Sequence, residues 1–198
     1  MGLSEPTILV VDDEQSVADI YTAHLEARYD VRTAYSGEEA LEKLDEGVDV
    51  AFLDRRMPGM TGDEVLEHIR EEGYDVRVAM VTAVDPDLDI IDMGFDDYLV
   101  KPISRDDLYE TVETLLSYRD YDETVEEYFR LVSKRATLQA AKSTATLEQN
   151  EQYQELTDRI EELEDELDDV LAEMDGKMDA LFGMSDGDAD SLGSQSQS

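Results

Sequence analysis

The feature that most constrains this chain is a set of short apolar runs that end in polar or charged residues. The runs 8-ILVVD-12 and 50-VAFLD-54 are apolar without a break until their last residue. The run 77-RVAMVTA-83 is nearly so, and 31-VRTA-34 and 98-YLVK-101 complete the set. An uninterrupted apolar strand must be covered on both faces, as in a parallel sheet. The stretches between the runs have helical spacing. One carries Val17, Ile20, Tyr21, His24 and Leu25, and another Ala40, Leu41 and Leu44. A third carries Val65, Leu66 and Ile69, and a fourth Leu108, Val112, Leu115 and Leu116. Strand–helix alternation with short connections predicts an α/β fold, a parallel sheet with right-handed crossovers and helices on both faces. Ser36 with Glu39 has capping-box spacing at one helix start. Ser104, three residues before Asp107, is a looser capping signal at another.

Ligands of such sheets bind beyond the carboxyl ends of the strands, where the winding reverses. Asp12 and Asp13 close the run that starts at Ile8, and Asp54 closes the run from Val50. Thr82 lies near the end of the run from Arg77, and Lys101 ends the last one. Three carboxylates in one pocket repel, and each resists ionisation. A hard divalent cation removes the conflict, and Mg2+ takes carboxylate and carbonyl oxygens and partners phosphate. One carboxylate can then attack phosphorus. A lysine, a hydroxyl and the metal are the groups that stabilise the charge on a transferring phosphoryl group. Each residue alone has a plainer explanation. Asp12 and Asp13 fit a turn, Thr82 a strand and Tyr98 packing, so only the set points to chemistry. His24, expected at the sheet interface, and His68, expected on the surface, receive no role.

From Thr7 to Tyr118 the chain resembles the receiver domain of two-component response regulators. The motifs that carry the resemblance are 9-LVVDDE-14, 53-LDRRMPGMTG-62, 81-VTA-83 and 98-YLVKP-102, in that order. The resemblance implies a flavodoxin-like five-stranded sheet of order 2-1-3-4-5. It implies that Asp54 accepts a phosphoryl group from a phosphohistidine on a sensor histidine kinase. Asp13, Asp54 and the backbone carbonyl of Arg56 would hold Mg2+ directly, with Asp12 acting through water. Thr82 and Lys101 would bind the phosphoryl oxygens, and Tyr98 would be the aromatic switch that turns inward when Thr82 moves. The Lys101–Pro102 bond would be cis, at the kind of bond where cis costs least. Gly59 and Gly62 let the loop after Asp54 turn sharply, and Pro58 stiffens it. For the Arg56 side chain two readings stay open: it tunes hydrolysis of the acyl phosphate, or only its carbonyl matters. The segment 83-AVDPDLDIIDMGFDDYLV-100 is shorter than is usual in the family. It leaves room for about two helical turns after Asp87, with Pro86 placed to open them.

After Tyr118 the pattern changes. Val125, Phe129, Val132 and Ala136 recur at helical spacing. The stretch 142-KSTATLEQN-150 is weakly apolar, and Tyr153, Leu156, Ile160, Leu163, Leu167, Val170 and Met174 then alternate by threes and fours. This predicts two helices joined near residues 143–149, or one long helix weakened there. The Gly-, Ser- and Asp-rich tail 185–198 reads as disordered. The expected division is a receiver over 1–118, a helical domain over 119–183 and a tail over 184–198. The arrangement resembles haloarchaeal regulators that carry the HalX domain. The heptads need an apolar partner, either the preceding helix in a hairpin or a second copy in a homodimer.

The 52 acids against 16 bases give a net charge of −36, spread over both halves. Such a surface repels nucleic acid and anionic lipid. It becomes tolerable in molar salt, where the Debye length is about 3 Å. The composition therefore predicts a halophilic, cytoplasmic protein. No cysteine is present, which excludes disulfides and thiolate chemistry. No run is long enough to span a membrane. The expected output is contact with a downstream protein through the helices. One alternative is a DNA-binding transcriptional regulator, although the basic cluster is only Lys134–Arg135. Another is an Asp-nucleophile phosphatase, but Arg56 stands where such enzymes need an acid.

Overall fold

The computed structural model describes residues 5–83, 85–117 and 123–181. Tyr118, the side chains of Val170 and Met174, and the tail 185–198 lie outside the described residues. The strands are β1 (Thr7–Val11), β2 (Asp30–Ala34), β3 (Val50–Asp54), β4 (Arg77–Thr82) and β5 (Asp97–Val100). They form one parallel sheet in the order β2-β1-β3-β4-β5. The three central strands are almost wholly buried, which accounts for their unbroken apolar character. Helices α1 (Gln15–Leu25) and α4 (Arg105–Ser117) share one face, and α2 (Gly37–Lys43) and α3 (Gly62–Glu71) the other.

The expected caps form. Ser36 Oγ accepts the Glu39 N–H at 3.1 Å. The Glu39 carboxylate, however, reaches back past the cap to the Tyr35 N–H. Ser104 and Asp107 exchange bonds in both directions and act as a full box. A further reciprocal box, Thr61 with Glu64, starts α3. Ile20 departs from expectation. It is 53% exposed, and α1 instead buries Ala18, Tyr21 and Leu25.

The predicted two-turn helix after Asp87 is a 3-10 helix over Leu88–Asp92. Pro86 does not open it. Asp87 is the N-cap, and its carboxylate accepts the Leu88 N–H at 2.8 Å. The face left bare by so short a helix is covered by the rest of the chain. Helix α5 (Glu123–Ala141), the short α6 (Thr144–Glu148) and α7 (Glu151–Leu181) follow. Helices α5 and α7 pack together as a hairpin, α5 also lies on β5, and both touch the 3-10 helix. Val125, Tyr128, Phe129 and Leu138 of α5 are buried, whereas Ala136 is exposed and Val132 is half-buried. Tyr153, Leu156, Ile160, Leu163 and Leu167 of α7 are buried within a single chain and join the receiver core in one apolar cluster.

Polar groups also meet across the seam between hairpin and sheet. Asp96, buried, accepts from Arg70 Nη2 at 2.8 Å and from the Val78 N–H at 2.7 Å. Arg77 and, across the seam, Arg130 also face it, at 4.0 and 3.8 Å. Arg77 pairs with Glu126, and Ser133 donates to Asp97 at 3.1 Å. Burial pushes the Asp97 carboxyl above its usual range. Lys134, half of the basic cluster Lys134–Arg135, is buried and donates to the carbonyls of Ile91, at 2.8 Å, and Met93.

Burial lowers the Lys134 pKa to about 8. The unfolded chain keeps this proton until about pH 10.4. Between those values the unfolded state holds more protons, so this group makes stability rise with pH. Urea midpoints of the wild type are therefore expected to rise relative to Lys134→Met between about pH 8 and 10. Parallel pH profiles of the two proteins would contradict the burial of a charged amine.

Candidate functional site

The sheet edge is built from strand ends. Asp54 is the last residue of β3 and Thr82 the last of β4; Asp12 and Asp13 follow β1, and Lys101 follows β5. Register aligns these ends, with Val11 beside Leu53, Asp54 beside Val81 and Thr82 beside Val100. A backbone bond from the Lys101 N–H to the Thr82 carbonyl, 2.8 Å, extends the last pairing to the site. The Lys101–Pro102 peptide is cis, as the resemblance implied.

Carboxylate oxygens of Asp12, Asp13 and Asp54 lie within 4.8 Å of one another. Asp12 and Asp54 are buried, at 2% and 7% exposure, while Asp13 is exposed. Lys101 Nζ donates to Asp12 at 2.5 Å and to Asp54 at 3.2 Å. Burial pushes the Asp54 carboxyl above its usual range, and Asp12 adds to the shift against the opposing pull of Lys101. Burial alone would lower the Lys101 pKa, but its two carboxylate partners outweigh that and raise it. Two buried acids and one exposed acid around one ammonium leave surplus negative charge. Clustered hard oxygen donors of this kind suit a divalent cation such as Mg2+.

The Arg56 N–H donates to Asp54 Oδ1 at 3.3 Å, while its side chain is exposed. It borders an open cleft of about 390 Å³ with Arg55, Met57, Thr61 and Asp63. Thr82 is buried at its strand end. Tyr98 is also buried, its ring 5.6 Å from that of Phe95, and its hydroxyl bonds Arg55. His24 and His68 are both half-buried and away from the carboxylates.

The two loop glycines have different reasons. Gly59 has φ +75°, a left-handed backbone. Gly62 is needed for closeness: a Cβ there would sit 2.2 Å from the Asp54 carbonyl oxygen. Its N–H bonds the Arg55 carbonyl at 3.1 Å, fastening α3 to the loop after Asp54. Gly62→Ala is expected to cost about 1–3 kcal/mol, typical of forced overpacking. The check is the urea midpoint, and an unchanged value would show that the loop is slack.

Arg55 is the residue that sequence reasoning left unassigned. Its Nε donates to both Asp63 oxygens at 3.2 Å, and its Nη2 pairs with Asp89 of the 3-10 helix. Burial would lower its pKa, but Asp89, Asp63 and Tyr98 raise it further. The sequence held a weak signal for this pair in the closely spaced acids Asp85, Asp87 and Asp89.

Comparison with known proteins agrees with this geometry. The model of the response regulator receiver domain matches residues 8–113, and that of the HalX domain matches 117–184. A protein of Haloferax volcanii, named provisionally as a transcriptional regulator, is 50% identical over 159 residues. That alignment covers 80% of this chain but only 27% of the relative, so the chain spans about a quarter of the relative's length. A CheY-like receiver from Methanospirillum hungatei is 29% identical, with TM-score 0.55, over 59% of this chain and 98% of its own. TrrA of Thermotoga maritima, solved with Mg2+ and beryllofluoride, is 36% identical, with TM-score 0.50, over 56% of this chain and 99% of its own. The strand order, the acids on the sheet edge and a receiver match over more than half the sequence place this acidic, halophilic chain in the response-regulator receiver family, with a HalX domain after the receiver.

Proposed function

We propose that Asp54 is the phosphoacceptor of a two-component relay. The observation that carries this is the gathering of Asp12, Asp13 and Asp54 within 4.8 Å, with Lys101 bonded to two of them. A carboxylate oxygen of Asp54 attacks the phosphorus of a phosphohistidine on a sensor kinase. The P–N bond breaks, the imidazole leaves with the electron pair and takes up a proton, and an acyl phosphate forms on Asp54. Asp13, Asp54 and the Arg56 carbonyl would hold Mg2+, with Asp12 supporting it through water, and the ion would supply charge neutralisation for the phosphoryl oxygens. Lys101 exchanges its carboxylate partners for a phosphoryl oxygen, and Thr82 donates its hydroxyl to another. Tyr98 is the aromatic switch; its ring is already buried and its hydroxyl bonds Arg55, so a move of Thr82 changes its packing rather than turning it in from solvent. In this reading the chain is a signalling acceptor rather than a turnover enzyme, with the receiver over 1–118 and the output helices over 119–183.

Output passes to a downstream protein through the hairpin. The name of the Haloferax volcanii relative points towards transcription. Direct DNA contact is disfavoured here because Lys134 is engaged inside the fold. Among the described residues no helix is long and apolar enough to cross a membrane. The test is intact mass after incubation with acetyl phosphate and Mg2+ in molar KCl. One phosphoryl increment, removed by hydroxylamine, is expected. No increment with folded protein and metal present would overturn the reading.

A further inference from the structure

Tyr98 keeps its phenol inside the fold at 6% exposure, against Phe95. A buried tyrosine hydroxyl needs a partner, because it otherwise gains by turning to water. Here that partner is Arg55. The guanidinium is itself fixed. The Arg55 side chain is 11% exposed, its Nε donates to both Asp63 oxygens at 3.2 Å, and its Nη2 pairs with Asp89. Asp63 stands in the first turn of α3 and Asp89 in the 3-10 helix, so two separate elements hold the fork in place. A planar guanidinium serves all of these partners at once in a rigid geometry. Tyr98 also shares a sheet face with Thr82. Thr82 lies beside Val100 in the β4–β5 register, and residues two apart on a strand point the same way. A threonine that moves towards Asp54 leaves room on that face, and a ring already packed inward keeps the room from becoming a void.

We infer that Arg55 is a positioning residue: by bonding the Tyr98 hydroxyl it holds the ring inward before any phosphoryl group arrives, and so sets how tightly the acidic pocket takes one. The link to affinity rests on the reading of Asp54 as phosphoacceptor and of Thr82 as a group that turns to the phosphoryl oxygens. The guanidinium acts on the phenol, and the coupling to the pocket runs through the packing of Tyr98 and Thr82. A site whose competent form is only partly populated binds more weakly by that fraction. With Arg55 in place, the ring of the unliganded chain already has its inward position. Without Arg55, the inward ring carries an unpaired hydroxyl, and the outward position, where water bonds the phenol, takes over.

The test uses the full chain in molar KCl, with 13C in its tyrosine rings. The Tyr98 line is assigned from its loss in Tyr98→Phe, and ring exposure is read from broadening by a neutral, soluble gadolinium chelate. Affinity is measured with beryllofluoride and Mg2+ as the phosphoryl mimic, followed by the 19F resonance of the bound form. Without mimic, the Tyr98 ring of wild type is expected to be protected. In Arg55→Met, and in Arg55→Leu as a second variant, the ring should become exposed. The mimic should then bind at least about fivefold more weakly, the low end of typical couplings, and once bound it should restore the protection. The Asp63 and Asp89 side chains are 43% and 53% exposed, so water takes over their pairing and the variants keep the fold. In a Tyr98→Phe background, which has no hydroxyl to hold, the same substitutions should change mimic affinity by less than about twofold. A merely structural role, or a direct pull of the Arg55 charge on the mimic, would keep the full loss in that background. That result overturns the inference, as does a Tyr98 ring that stays protected in folded Arg55→Met without mimic. The ring measurement needs no phosphoryl chemistry, so the two readings fail separately. Folded wild type with no bound 19F resonance overturns the phosphoacceptor reading, while the exposure of the ring still decides whether Arg55 holds it.

Discussion

Asparagine in place of Asp54 is expected to cut phosphoryl incorporation from acetyl phosphate by at least about a thousandfold, as loss of a nucleophile does elsewhere. The amide keeps the shape of the carboxylate but has no anionic oxygen to attack phosphorus. The same substitution is expected to raise the melting temperature in metal-free buffer. Burial, with Asp12 adding to it, places the folded-state pKa of Asp54 above its unfolded value. The ionised form therefore opposes folding above that pKa, and wild type regains stability as pH falls through it. At neutral pH the gain should be a few degrees, since about 1 kcal/mol corresponds to roughly 2–4 °C in a chain of this size. It should shrink towards acid pH, and Mg2+ should stabilise wild type more than the variant. Residual labelling at the wild-type rate would assign the acceptor to another residue. A lower melting temperature at neutral pH would remove the electrostatic argument for the site.

Asp96→Ala should have the largest effect on folding. Asp96 receives a backbone N–H and Arg70, and it faces Arg77 and Arg130, the last of these from α5. Removing one partner of a buried ionic group costs about 3–5 kcal/mol, because the other charges stay buried without compensation. Here the guanidiniums left behind come from α3, β4 and the hairpin, so both halves of the molecule should weaken together. Urea denaturation at fixed KCl measures the loss. Asp96→Asn, which retains an acceptor for the Val78 N–H, should lose less. A loss under about 1 kcal/mol for the alanine variant would mean that apolar packing alone holds the seam.

Some of the site was legible because a strand is a ruler. An apolar run buried on both faces ends where a polar residue appears, and parallel strands in register end at one edge. Asp12, Asp54, Thr82 and Lys101 could therefore be placed together before any contact was known. Helix starts were partly legible too, because a cap is local: Ser36 and Ser104 act within three residues of themselves. Thr61 with Glu64 is equally local, but its spacing lies inside the motif 53-LDRRMPGMTG-62 and its flank, where the loop chemistry masks it. Ile20 has the helical phase of its neighbours, but spacing alone does not say how wide a face the sheet covers.

The parallel sheet, the carboxylates on its edge and a helical appendage with an apolar seam follow from the order of the residues alone. Periodicity and strand length are properties of neighbouring residues, so they survive without a structure. Only packing in three dimensions set the fold of the appendage back onto β5, the short 3-10 helix where a longer helix was expected, and the partners that Arg55, Arg77 and Lys134 meet. Those partners lie 34 residues apart for Arg55–Asp89, 49 for Arg77–Glu126 and 43 for Lys134–Ile91. In a chain with 52 acids, each cation has many possible mates, and only the packing of apolar faces brings one of them into reach.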